Sequence, residues 1–343
     1  MRGINITEGI IRHSSELDRY YTGSVNNLAK YKLTTGDLVI GMDGSKVGRN
    51  SAIVSLTENG SYLVQRVCRI KSCIGNDFIL QLVNNHKFHK YVDMVKTSSA
   101  IPHISLKDIQ NFPIAVPSIQ KEADKISRLF HLLDERIATQ NKIIDKLQSL
   151  IKGIVDSTIL RKEKSAIVGD VCSISEQIRA EANIDDIITV RLHGNGVCKS
   201  SAENLQLGAT QYYRRRAGQL IYGKQNFHNG AIGIVPISLD NGITSKDIPS
   251  FDIDEMKCNS VYLLAQLQSP QYYKPAEALT TGTGSKRLKE ETFLKMPIVL
   301  PNKREQDNIA TLIISISANL DQAKKMLDLF SIQKQYLLRQ MFI

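Results

Sequence analysis

What this sequence lacks narrows its chemistry first. Its five cysteines, Cys68, Cys73, Cys172, Cys198 and Cys258, are odd in number and irregular in spacing, which argues against a disulfide framework and for a reducing cytoplasm. No stretch approaches the roughly 20 apolar residues that span a bilayer. The opening MRGINITEGIIRH has charges at Arg2 and Glu8 but no long apolar segment after them, so neither a membrane anchor nor an export signal is legible. Catalytic frames are missing too: there is no G-x-S-x-G elbow, no H-E-x-x-H, no N-P-P-[FY] and no pair of carboxylates set for acid and base work. His86 and His89 of HKFH lack a third ligand, and Cys68 with Cys73 is not a zinc-type doublet, so the expectation is no metal and no catalytic residue. The run Gly282, Thr283, Gly284, Ser285, Lys286, Arg287 falls short of the G-x-x-x-x-G-K-[ST] spacing of a nucleotide pocket.

Positive charge, by contrast, is in surplus. The 343 residues carry 44 Lys and Arg against 34 Asp and Glu, a formal net charge of +10. An anionic partner follows, nucleic acid ahead of a membrane surface, with plain solubility as the bland rival. The 42% hydrophobic content supports two ordinary domains with real cores.

The chain also repeats itself. Ile126, Phe130, Leu133, Ile137, Gln140, Ile144, Leu147, Ile151 and Ile154 step by four and three, and Ile309, Ile313, Ile316, Leu320, Ala323, Leu327, Phe330, Lys334 and Leu337 step identically 183 positions later. Each run is the apolar seam of a long helix. Upstream, IQNFPIAVPSIQKEADKI at 109–126 answers FLKMPIVLPNKREQDNIA at 293–310, with Pro113 against Pro297 and Pro117 against Pro301. GDLVIGMDG at 36–44 answers GQLIYGKQN at 218–226. A duplicated unit of domain plus long helix is the organisation to expect.

The boundaries read as a first domain at 1–117, a helix at 118–160, a second domain at 161–301 and a second helix at 302–343. Each domain mixes short strands with helix in an α+β pattern: strand pieces flank Gly41, Gly44 and Gly48, a strand is expected in 62–70, a helix over 78–95, and a proline-bounded strand in FPIAVP at 112–117. Ser118 is the expected helix cap. Forty residues at about 1.5 Å each make a rod of roughly 60 Å. Eight or so buried aliphatic side chains at about 1.5–3 kcal/mol apiece need a partner. The other copy is the nearest, packed antiparallel within one chain, which gives an approximate two-fold arrangement; homodimerisation through one coiled coil is the rival. The second domain has some two dozen residues before Arg191, whereas the matching Arg2 stands at the start, so either the first domain begins short, or a neighbouring sequence or the chain's own other half completes it.

Candidate DNA contacts are basic residues in turns and strands. Ser45, Lys46 and Arg49 lie in a glycine-rich turn suited to phosphate. Tyr212, Tyr213, Arg214, Arg215 and Arg216 form the densest aromatic and basic cluster, with arginines fit for guanine or phosphate. Arg191, Lys224, Asn226, Lys286 and Arg287 complete the set. Solvated turns and a charged strand edge are the structural alternatives.

GDLVIGMDGSKVGR at 36–49, FPIAVP followed by KISRLFHLLDERIATQNKIIDKLQSLIKG at 125–153, and IVLPNKREQDNIATLIISIS through QKQYLLRQMF together make the chain resemble the specificity subunit of type I restriction-modification systems, over essentially its full length. The resemblance implies a subunit without catalysis. Two target recognition domains each read one half of a split double-stranded DNA sequence, and the helices act as spacer. Those helices also recruit two adenine-N6 methyltransferase subunits that use S-adenosylmethionine, and two ATP-dependent restriction subunits complete the assembly; S-adenosylmethionine, ATP and Mg are expected on those partners and no cofactor on this chain. The competing class is a non-DNA adaptor that binds proteins through its rods and domains.

Overall fold

A computed structural model describes residues 1–7, 9–200, 210–282 and 285–342. The fold is α+β with two long helices, and the chain divides into two compact units: 1–142 with 324–343, and 143–323.

In the first unit, β1 (Ile6–Thr7) and β2 (Ile10–Ile11) form a short hairpin, and β3 (Leu38–Gly41), β4 (Ser51–Ile53) and β5 (Val67–Ile70) form an antiparallel sheet in the order β4-β3-β5. All four residues of β3 are buried, as a central strand covered on both faces requires. Only the second half of the expected strand 62–70 forms, because Arg66 turns the chain with φ 69°. The helix expected over 78–95 is two helices, α1 (Asn76–Val83) and α2 (His86–Val95), broken where Asn85 caps α2 by accepting from the amide of Lys87. A capping box of Ser105 and Asp108 starts α3 (Leu106–Gln110). Residues 112–117 form no strand, and the long helix α4 (Gln120–Ile154) starts two residues past Ser118, which is therefore not its cap.

The second unit holds β6 (Ala166–Ile167), β7 (Cys172–Ile174), β8 (Arg179–Ala180), β9 (Ile188–Val190), β10 (Val197–Lys199), β11 (Tyr212–Arg214), β12 (Leu220–Tyr222), β13 (Ile232–Ile234), β14 (Ile243–Ser245) and β15 (Ser250–Ile253). Then come α5 (Ser260–Leu267), α6 (Pro270–Tyr273), α7 (Glu290–Leu294), β16 (Pro297–Ile298) and the second long helix α8 (Lys303–Met341). Its main sheet runs β13-β12-β15-β7. Within it Leu220 pairs with Ile234 and Phe251, as Leu38 pairs with Ile53 and Ile70 in the first unit. Ile221 pairs with Gly233 and Ser250, as Val39 pairs with Ala52 and Arg69. The duplication thus holds residue by residue through three strands.

Both long helices contribute to both units. In the first unit Phe130 packs on Phe342 with ring centroids 5.7 Å apart, and Lys334 Nζ donates to Asp134 Oδ1 at 2.5 Å, so the two segments run with opposite polarity. In the second unit Val155 and Ile159, in a π-helical turn after α4, share a core with Ile309, Ala310 and Ile313, and Lys162 pairs with Glu305. Along α4 the positions Ile126, Phe130, Leu133, Ile137, Ile144 and Leu147 are buried or half-buried, as are Ile309, Ile313, Ile316, Leu320, Leu327 and Phe330 along α8. Most residues between them are exposed. Period 3.6 dictates that pattern.

Candidate nucleic-acid interface

In the first unit the β3–β4 connection is a glycine turn. Gly48 has φ 70° and lies so close to α2 that a Cβ would meet Val92 Cγ2 at 2.8 Å, so only glycine lets the loop pack there. Ser45 and Lys46 stand exposed at its tip. Arg49 is turned back: its Nη2 donates to Asp93 Oδ2 at 2.6 Å, and Lys96 Nζ donates to the other oxygen at 2.8 Å. The Lys96 hydrogen bond, with the nearby Arg49 charge, holds the Asp93 carboxyl below the usual carboxylate range.

Sequence reading missed a second basic group in this unit. Arg69 donates to the carbonyls of Lys32 and Lys30 at 2.7 and 3.0 Å, and Lys71 Nζ lies 3.5 Å from Asp37. Lys71 is exposed beside the buried Asp37, and Lys30 and Lys32 are exposed on the segment whose carbonyls Arg69 holds. These residues converge from segments some 40 positions apart, so no local motif could announce them.

In the second unit β11 lies between β8 and β14, and strand alternation decides the fate of each residue of its basic cluster. Arg214 and Arg216 are exposed, and neither side chain makes a hydrogen bond or ion pair among the described residues. Arg215 is 0% exposed. Its Nε donates to Thr244 Oγ1 at 2.7 Å, Nη1 to Ser250 Oγ at 2.9 Å and Nη2 to the Ile248 carbonyl at 3.1 Å. Burial lowers its pKa to about 10. The expectation that Arg215 touches DNA is corrected: its donors are spent inside the unit. Tyr212 is likewise buried, packed with Ile187 and Ile243, and presents no face to a ligand.

The remaining cations are mostly paired. Lys224 Nζ lies 2.7 Å from Glu290, Lys286 Nζ 3.2 Å from Glu277, and Arg287 Nη2 3.3 Å from Asp247. Two backbone bonds bring three loops together: the Lys224 amide donates to the Asp247 carbonyl and the Leu288 amide to the Lys224 carbonyl, both at 2.9 Å. Lys246, which sequence reading missed, joins them with its Nζ 5.9 Å from the Tyr213 ring centroid. Asn226 is exposed at the β12–β13 tip, and Arg191 is exposed with its Nε directed at Cys198 Sγ. Thr283 and Gly284 of the second glycine run lie outside the described residues.

Among the described residues no cluster of three or more His, Cys, Asp and Glu is placed to hold a metal. Burial raises Cys68 to about 11 and both Cys172 and Cys258 to about 12, so these thiols stay protonated and unreactive. Among the described residues no helix is long and apolar enough to cross a membrane.

Residues 4–149 match the family described as Type I restriction modification DNA specificity domain. No curated protein matches the chain. Among solved structures, the Type-I restriction-modification system S subunit from M. genitalium aligns over 91% of this chain and 84% of its own, at 12% identity and TM-score 0.64. That likeness establishes a shared fold over most of the length. The HsdS subunit from Thermoanaerobacter tengcongensis aligns over 99% of this chain and 89% of its own, at 13% identity and TM-score 0.42.

Proposed function

With residues 4–149 belonging to the type I restriction-modification DNA specificity family, we propose that the whole chain is a non-catalytic specificity subunit that reads a bipartite duplex target. Residues 1–117 and 161–301 are its two target recognition domains. Helices 118–160 and 302–343 form an intramolecular antiparallel coiled coil that relates the domains by an approximate two-fold axis and spaces them along DNA. Methyltransferase subunits carrying S-adenosylmethionine, and restriction subunits using ATP and Mg, dock on this frame.

The single observation that carries this reading is the repeat in register: Leu38 and Leu220, each paired to equivalent neighbours, belong to scaffolds that both lead into a long helix. Two equivalent scaffolds suit a partner that presents equivalent faces at intervals, as duplex DNA does every 34–36 Å. Ser45, Lys46, Arg191, Arg214, Arg216, Lys224, Asn226, Lys286 and Arg287 are the proposed contacts, joined by Lys30, Lys32, Lys71 and Lys246. The exposed ion pairs of Lys286 and Arg287 with single carboxylates are open to exchange for phosphate, because surface pairs contribute only about 0–1 kcal/mol.

The test is the methylation pattern of DNA from cells that carry this subunit with its methyltransferase. One split sequence methylated on adenine is the expected result. Methylation that ignores the subunit, with duplex binding insensitive to salt, would favour the adaptor reading instead.

A further inference from the structure

Two arginines of the internal repeat do one job from opposite strands. The strand registers match Arg69 of β5 with Ser250 of β15, and Asp37, which precedes Leu38, with Gln219, which precedes Leu220. Counting back from that pair, Lys30, Tyr31, Lys32, Leu33 and Thr34 match Tyr212, Tyr213, Arg214, Arg215 and Arg216. The turns bear the count out: the Thr34 amide donates to Asp37 Oδ2 and the Arg216 amide to Gln219 Oε1, both at 2.9 Å.

In the first unit the bridge comes from β5. Arg69 sends Nη1 to the Lys32 carbonyl at 2.7 Å and Nη2 to the Lys30 carbonyl at 3.0 Å, while Leu33, 0% exposed, fills the place that Arg215 takes in the second unit. In the second unit the bridge comes from the other side. Arg215 reaches across to Ser250 Oγ, at the place of Arg69, with Nη1 at 2.9 Å, and to the Ile248 carbonyl with Nη2 at 3.1 Å. Each unit therefore has one arginine at this pair of positions, and it joins the same two segments whichever of them carries it. A planar guanidinium can hold two acceptors at a fixed span, which an ammonium on a flexible stem cannot.

What lies alongside the bridge is also the same. Lys30 and Lys32, whose carbonyls Arg69 grips, are exposed cations, and so are Arg214 and Arg216, which flank Arg215. Fixing the backbone there sets the direction of each Cα–Cβ bond, so these side chains spring from a held base. We propose that Arg69 and Arg215 are equivalent positioning residues, which aim Lys30 with Lys32, and Arg214 with Arg216, at the phosphates of a duplex without touching it. The aiming rests on the DNA reading proposed above; the bridge stands without it.

The test compares Arg69→Lys and Arg215→Lys with the paired change Lys30→Ala and Lys32→Ala, all in the full-length chain. Both lysine variants keep the charge and remove the fork. Amide exchange should quicken roughly tenfold or more at Tyr31–Leu33 in Arg69→Lys and at Asp247 and Ile248 in Arg215→Lys. In anisotropy on a mixed-sequence duplex, each variant should lower the slope of log affinity against log salt by about 0.9 to 1.8, as one or both aimed cations lose a phosphate although no charge has been removed. A merely structural arginine would shift the melting temperature and leave that slope alone. Should Arg215→Lys fail to fold, Arg69→Lys decides. Unchanged exchange in Arg69→Lys refutes the bridge. Quickened exchange with an unchanged slope, where the paired alanine change lowers it, refutes the positioning and leaves DNA reading standing. An unchanged slope in the paired alanine variant overturns the contact of this segment with DNA, and the aiming with it.

Discussion

Arg214, Arg215 and Arg216 are adjacent, share a charge and face different environments, so replacing each by alanine separates folding from DNA contact. Arg215→Ala removes three buried donors and leaves Ser250 Oγ and Gln177 Oε1 without their guanidinium partner. Thr244 keeps its own bond to the Ile248 carbonyl at 2.8 Å, so that pair remains satisfied. An unpaired buried polar group costs about 1–3 kcal/mol, and the void left by the side chain adds to it. Relief of the guanidinium's desolvation offsets part of the loss. The balance is about 2–4 kcal/mol, or a fall in Tm of roughly 4–16 °C for a unit of this size. Arg214→Ala and Arg216→Ala lie in solvent and should stay within about 0.5 kcal/mol of the parent. Each should reduce the slope of log affinity against log salt by about 0.9 if it neutralises one phosphate. Thermal melts and fluorescence anisotropy on duplex DNA at several salt concentrations read both quantities. An Arg215→Ala chain that melts normally would refute the internal role argued from its bonds. Unchanged salt slopes for both exposed variants would remove them from the interface.

Four further outcomes follow from the same contacts. Phe130→Ala empties a position that is 0% exposed and packed against the Phe342 ring, and should lower stability by about 3–5 kcal/mol in chemical denaturation. Matched insertions of seven residues after Ile144 and after Leu320 lengthen each helix by about 10 Å in phase with its seam, so the gap between methylated half-sites should grow by about three base pairs; an unchanged gap would show that the helices do not set the spacing. Glu58 is nearly buried, and although burial opposes its ionisation, hydrogen bonds from Ser55 and His13 outweigh that and lower its pKa, so its contribution is complete above the ordinary glutamate range and fades as pH falls through the depressed value. The acid-induced loosening of residues 51–63 seen by amide exchange should then be absent in Glu58→Gln. Alkylation of the native chain should label Cys73 first and spare Cys68, Cys172 and Cys258, whose thiols are buried and protonated.

The helical seams were legible because they obey a local rule. A four-three spacing fixes which side of a helix each residue occupies, whatever packs against it, and Phe130 and Leu320 lie on the covered side accordingly. The basic strand was legible only in part. Period two puts Tyr213 and Arg215 on one face and Tyr212, Arg214 and Arg216 on the other, yet nothing local says which face meets a neighbour or where cover ends. Tyr212 is covered by Ile187 and Ile243, and the arginines on its face run past that cover. FPIAVP misled for the complementary reason. It matches MPIVLP closely, but a strand exists only with a partner, and β6 supplies one in the second unit alone. The group around Asp37 and Arg69 was invisible because the Lys30–Lys32 backbone, Arg69 and Lys71 meet only after β3 and β5 pair.

The two copies agree and differ in a way that fits a pair of readers. Agreement is closest where side chains are enclosed: Leu38 with Leu220, Val39 with Ile221 and Ile53 with Ile234 hold equivalent positions in equivalent registers. The copies diverge at the exposed tips between the same strands, where Ser45 and Lys46 stand in one copy and Gln225 and Asn226 in the other. Packing energy falls steeply with any change in an enclosed side chain, so the scaffold has little freedom. A solvated tip changes at almost no cost in stability. Each half can therefore carry its own exposed contacts while the frame that holds both stays the same, as the proposed reading of a target with two unlike halves requires.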